Sequence, residues 1–154
     1  MAGPPRLSHH ELCFGCGQAN LFGLQLELEP DGEDGASGRF FVKQDHQGAP
    51  GSAHEGVIAA ALSEAMSLLA DRFQPELHPT RVELALLGPA PVGTFVTVKA
   101  WLESRDDAAL DVAAAAFGEG EQRLSALARA HARFVGPAAV RVPRPGSAGT
   151  GYGS

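Results

Sequence analysis

One stretch constrains the fold of this chain more than any other: "HEGVIAAALSEAMSLLA", residues 54–70. It is nearly all small and apolar, and it is long enough for roughly five turns of α-helix. At about 100° per residue, Ser63, Glu64, Ser67 and the following Asp71 fall with Ala60 in one sector about 100° wide. Val57, Ile58, Leu62, Ala65, Met66, Leu68 and Leu69 occupy the rest of the circumference. A helix that is apolar on most sides is buried on most sides. A curved sheet closing around it would do this. The polar stripe would then look into a cleft, a subunit interface or water.

Glu64 sits on that stripe, and an unpaired buried carboxylate is costly. Two readings follow. Glu64 is a solvated residue on a wet strip, or it is a carboxylate in a partly desolvated cleft, with a raised pKa, acting as a base. Ser52 followed by Glu55 predicts a capping box at the helix start. The helix is expected to run to about Phe73, where "QPELHP" (74–79) ends it, because proline cannot continue a helix interior.

The flanking sequence reads as strands. "GLQLELEP" (23–30) alternates, with Leu24, Leu26 and Leu28 on one side. "DGEDG" (31–35) is a turn, and "ASGRFFVK" (36–43) is its hairpin partner. After the helix come "TRVELALL" (80–87), "TFVTVKAWLES" (94–104), "AALDVAAAAF" (108–117) and "RLSALARAHARFV" (123–135), separated by short turns. The last two are Ala-rich enough to pass for helices, and their place between short turns assigns them as strands. The order β-β-α-β-β-β-β implies an α+β fold, an antiparallel sheet wrapped around one long central helix. Residues 1–12 are expected to form a flexible N-terminal segment. Residues 13–135 form the domain, and the Pro/Gly/Ser-rich stretch 136–154 is expected to be disordered.

Charge and cysteine usage narrow the function classes. The formal net charge is −6 with only 12 Lys plus Arg, and no basic cluster stands out, so no nucleic-acid partner is expected. No apolar run approaches the roughly 20 residues of a membrane span. The N-terminus lacks a signal-peptide apolar region, which leads to the expectation of a cytoplasmic protein with reduced thiols. Cys13 and Cys16 do not describe a disulfide framework. With His9 and His10 they would supply four zinc ligands in principle. Zinc sites usually draw on two separate knuckles and this cluster has one, so neither metal nor cofactor is expected.

Three stretches together resemble the hotdog-fold acyl-CoA thioesterases, in the phenylacetate-pathway and THEM-type branch. "CFGCGQANLFGLQL" (13–26) is similar to that family's Cys-x-x-Cys-Gly…Asn-Pro-x-Gly-Leu opening. "HQGAPGSAHEGVIAAALSEAMS" (46–67) is similar to its loop, His-Gly-Gly and following helix. "TRVELALLGPAPVGTFVTVKAWLES" (80–104) is similar to the strand, Pro-x-Pro turn and strand that come next. The resemblance implies a homodimer or dimer of dimers with active sites at the subunit interface. It also implies metal-free hydrolysis of an acyl-CoA or related carrier thioester. A carboxylate nine residues after the His would act as base, and the second Gly's N–H at the helix N-terminus would polarise the thioester carbonyl.

Carried onto this chain, His54 matches the His and Gly56 matches the second Gly, while Glu55 replaces the first. The carboxylate position is Ser63, with Glu64 one step later. Either Glu64 substitutes from the neighbouring position, or the site is altered. Ser63 as a nucleophile would need a nearby base, and His54 lies about 180° away around the helix axis. Gln47 matches a residue that positions water or substrate, with His46 beside it. An assisting Ser/Thr position falls at Pro79, next to Thr80. The expected site is therefore Glu64, Gly56, His54, Gln47 and Ser63, with Thr80 and His46 contacting substrate. The alternative is an acyl-binding hotdog protein that has lost the base. A hydratase would carry an Asp/His motif, which the sequence does not show.

Overall fold

The structure is a computed structural model that describes residues 5–119 and 125–136. Strand β1 (Glu27–Pro30) and β2 (Gly35–Phe41) precede a single 3₁₀ turn (Gln44–His46) and helix α1 (Glu55–Phe73). Then follow β3 (His78–Leu86), β4 (Phe95–Arg105), β5 (Ala109–Gly118) and β6 (Ser125–Val135). The six strands form one sheet in the order β1-β2-β4-β5-β6-β3, every pairing antiparallel. Both Ala-rich segments are strands, as expected. The expected disorder of 136–154 falls almost wholly outside the described residues.

Alternation along the central strands explains the packing. Val96, Val98 and Ala100 of β4, Leu110, Val112, Ala114 and Ala116 of β5, and Ala128, Ala132 and Phe134 of β6 are buried in one core with α1. From α1 the core takes Ile58, Ala61, Leu62, Ala65, Met66, Leu68, Leu69 and Ala70. The many alanines let the helix lie close against the curved sheet. The apolar circumference of α1 is thus used by the sheet, and only its polar stripe is left over.

Two local expectations are corrected. Expected strand 23–30 begins only at Glu27, because Gln25 has φ 51°, outside the strand region. Leu24, Leu26 and Leu28 are still buried, and the N–H groups of Leu24 and Leu26 donate to the carbonyls of Phe14 and Gly15 instead. Ser52 does not cap α1. Its N–H donates to the Ala49 carbonyl and its own carbonyl accepts from Gly48 N–H, so it closes the preceding loop. The N-cap is His54. Ahead of β1, Leu7 N–H donates to the Leu28 carbonyl at 2.8 Å.

One edge stands apart. Every residue of β3 is exposed, and Val82, Leu84 and Leu86, which alternate onto one face, are 47, 37 and 49 % exposed. No helix among the described residues is long and apolar enough to cross a membrane.

Candidate functional site

Two places on α1 collect the residues singled out in the sequence. The first is its entrance. His54 has extended backbone, and its Nδ1 accepts the Gly56 N–H at 2.8 Å. This is N-capping by an imidazole. The ring Nδ1 is the acceptor. A Cβ at position 56 would lie 3.0 Å from that Nδ1, so glycine lets the ring fold over the amide. The Gly56 N–H, expected to meet a substrate oxygen, is therefore already engaged, by a side chain that is 64 % exposed and able to swing away.

The loop before α1 is built to hold this entrance. Gln47 Oε1 accepts Gly51 N–H at 2.6 Å, where Gly51 has φ 83° and favours glycine. His46 is 3 % exposed. Its Nδ1 accepts Lys43 N–H at 3.1 Å and its Nε2–H donates to the Gly23 carbonyl at 3.3 Å. Burial holds its pKa below the ordinary 6.5. Both ring nitrogens are used by the scaffold, which accounts for His46 without a substrate contact. His46 O in turn accepts His54 N–H at 2.8 Å. Thr80 lies far along the chain at the bulged start of β3, and its hydroxyl donates to the Arg133 carbonyl at 3.3 Å.

The second place is the polar stripe. The N-terminal segment covers it over Glu64, whose side chain is 14 % exposed, while Asp71 at its far end stays 44 % exposed. His9 Nδ1 lies 2.6 Å from Glu64 Oε1, and His9 Nε2 lies 3.2 Å from Asp71 Oδ2. Glu64 and Asp71 are two helical turns apart on one face, so a single imidazole spans both. Cys13 Sγ–H donates to Glu64 Oε1 at 3.3 Å and sits 3.8 Å from His9 Nδ1. Cys16 Sγ accepts the His9 backbone N–H at 3.2 Å. Cys13 and Cys16 are free thiols. Gly15 rests directly on Glu64, since a Cβ there would lie 2.4 Å from Glu64 Cγ.

The electrostatics follow from the packing. Burial alone would lower the pKa of His9, but the hydrogen bond to Cys13 and the charges of Glu64 and Asp71 outweigh it and raise the value. Burial is the main cause that pushes the Cys16 thiol up to about 11. Ser63 is half-buried beside this group. The expected site residues thus divide. Gly56, His54, Gln47 and His46 belong to the helix entrance, Ser63 and Glu64 to the stripe, and Thr80 to the edge strand. Sequence reasoning placed His9 in a cysteine cluster but paired it with His10, which is exposed and turned back on the Leu12 N–H. It placed Asp71 on the stripe with Glu64 but gave it no role in the site.

No protein-family profile and no curated protein matches the sequence. Solved structures do match. A thioesterase superfamily protein aligns with TM-score 0.65 and 20 % identity over 71 % of this chain, which spans about half of that protein (53 %). The phenylacetic acid degradation protein PaaI from Thermus thermophilus, in a mutant form, aligns with TM-score 0.65 and 18 % identity, covering 72 % of this chain and 92 % of that one. A hypothetical thioesterase from Streptococcus pneumoniae, solved with coenzyme A, aligns with TM-score 0.64 and 11 % identity, covering 71 % and 86 %. The six-stranded antiparallel sheet around one long helix is therefore the hotdog fold of thioesterase-superfamily structures.

Proposed function

We propose that this chain hydrolyses an acyl thioester of coenzyme A or a related carrier, with the entrance of α1 receiving the thioester carbonyl. The observation that carries this reading is the Gly56 N–H at an exposed helix N-terminus, in a fold shared with thioesterase-superfamily structures, one of them solved with coenzyme A. As His54 swings off Gly56, the freed amide and the helix dipole stabilise the oxyanion that forms when water attacks. Gln47 holds the loop that shapes this entrance.

The site needs a second copy of the chain. Gly56 and Glu64 are eight residues apart on one helix, about 12 Å along its axis. Reacting groups must come within about 3.5 Å. A carboxylate can therefore meet a carbonyl at the helix entrance only if it comes from another subunit. The exposed apolar face of β3 suits such a homodimer.

The base is the point on which two readings divide. Glu64 Oε1 is occupied by His9 and Cys13, and among the described residues Oε2 has no hydrogen-bond partner. In the hydrolase reading Oε2 takes the proton of the attacking water. In the second reading the protein binds an acyl thioester without turning it over. The observation that favours the second is the enclosure of Glu64 under Gly15, with Ser63 at the neighbouring position. Thiol release from short, medium, long and aromatic acyl-CoAs separates them, comparing wild type with Glu64→Gln and Ser63→Ala. Loss of turnover in Glu64→Gln supports the hydrolase with Glu64 as base. Binding of acyl-CoA without thiol release supports the second reading. Neither binding nor turnover on any thioester would refute both.

A further inference from the structure

We propose that His9, Cys13, Cys16 and Glu64 form a binding site for one zinc-class divalent cation, which pins the N-terminal segment onto α1. The inference does not rest on the hydrolase reading. The four ligand atoms all lie within 4.8 Å of one another. Ideal tetrahedral zinc, with bonds of about 2.3 Å to sulfur and 2.0–2.2 Å to nitrogen and oxygen, places its ligand atoms about 3.3–3.8 Å apart. Here Cys13 Sγ is 3.3 Å from Glu64 Oε1 and 3.8 Å from His9 Nδ1, and Cys16 Sγ is 3.9 Å from His9 Nδ1. Of these four separations, the 2.6 Å contact between His9 Nδ1 and Glu64 Oε1 is the one that has to open, by somewhat under 1 Å, to admit the ion.

The surroundings are those of a metal site. Asp71 Oδ2 lies 3.2 Å from His9 Nε2, on the far side of the ring from Nδ1, which faces the cluster. A carboxylate behind a ligating imidazole is the usual orienting partner. The Cys16 sulfur accepts from the His9 backbone N–H, and the Ser8 hydroxyl stands 3.6 Å from it. The Cys-Phe-Gly-Cys-Gly loop is shaped for the task. Gly17 N–H donates to the Cys13 carbonyl at 2.8 Å, and a Cβ on Gly17 would fall 2.4 Å from the Glu11 carbonyl oxygen. Two of the ligands come from this loop, one from the segment before it, and the fourth from α1. The second knuckle that the sequence lacked is supplied by the helix.

Two thiolates, an imidazole and one carboxylate select zinc over the harder cations. All four positions are filled by protein, so the ion is structural and offers no open place for substrate. On binding, Cys13 and Cys16 release their thiol protons and His9 releases the Nδ1 proton held against Glu64, all to solvent, and the sulfur lone pairs form the two Zn–S bonds. His9 Nδ1 and Glu64 Oε1 donate the other two pairs, and no electrons are transferred.

The test uses untagged full-length protein, purified under reducing conditions with zinc and then dialysed. Elemental analysis is expected to find about one zinc per chain. Cobalt replacement should give a sulfur-to-metal charge-transfer band and the intense visible bands of tetrahedral cobalt. Cys16→Ser should lose the bound ion, and Asp71→Asn should weaken its affinity about 10–100-fold. His10→Asn, outside the cluster, should keep it. If Cys16→Ser fails to fold, the cobalt spectrum of the wild type still decides. Dialysed protein without metal and without a charge-transfer band would overturn the proposal. So would equal metal loss in His10→Asn and Asp71→Asn.

Discussion

Replacing Gly15 by alanine tests the placement of Glu64 most directly. A Cβ at position 15 would lie 2.4, 2.5 and 2.7 Å from Cγ, Cδ and Oε2 of Glu64. Ordinary contacts are about 3.5–4.0 Å, so the carboxylate must retreat by about 1 Å or more. Its bond to His9, 2.6 Å long, is the one lost, along with the Cys13 contact. A hydrogen bond to a charged group contributes about 1.5–3 kcal/mol. His9 is 30 % exposed, so the lower half of that range applies, about 2 kcal/mol. For a chain of this length each kcal/mol moves Tm by about 2–4 °C, giving a fall of about 4–8 °C in metal-free protein. The assay is a double-mutant cycle by thermal and denaturant unfolding, with Gly15→Ala placed in wild-type and Glu64→Ala backgrounds. Glu64→Ala removes the three atoms nearest the new methyl, so in that background Gly15→Ala should cost close to nothing. An equal cost in both backgrounds would refute the account, and would mean that Gly15 is needed for its backbone alone.

Other expectations follow from the same geometry. Burial, with the nearby Lys43 charge, lowers the folded pKa of His46 below 6.5, against the bond to the Gly23 carbonyl, which favours the charged ring. Below about pH 6.5 the unfolded chain binds a proton that the folded chain does not, so stability falls as pH drops through 6.5 towards the folded pKa. Denaturant melts between pH 7.5 and 5 should show this slope in wild type and a shallower one in His46→Gln. His54→Ala removes the cap on Gly56 and should cost about 1 kcal/mol by the same melts, and an unchanged midpoint would show the cap contributes nothing. Leu62→Ala, at a fully buried position of α1, should cost about 2–5 kcal/mol. Leu84→Lys, on the exposed face of β3, should shift the protein to monomer in sedimentation without unfolding it. A wild type that already sediments as a monomer would refute the dimer.

Periodicity alone determined the architecture. A long helix apolar on most sides, set among alternating segments, has few ways to bury itself, and a sheet curved around it is the simplest. This held even for β5 and β6, whose alanines carry little strand preference, because the short turns on either side leave no room for helices. The polar stripe from Ser63 to Asp71 was legible for the same reason: it is a matter of angle along one helix. What covers the stripe was not legible. The contact between His9 and Glu64 joins residues 55 positions apart, and no local pattern reports such a pairing. Whether Glu64 faces water, a substrate or two cysteines depends on how the N-terminal segment is carried back across α1. That path is set by the Leu7–Leu28 bridge and by the backbone bonds from Leu24 and Leu26 to Phe14 and Gly15. The capping of α1 failed at the sequence level on a similar point. Ser52 had the right chemistry, but a loop closed around Gly48 took its backbone first and left the imidazole of His54 to meet the helix amide. Local periodicity chose the elements, and long-range backbone pairing chose the neighbours of each polar side chain.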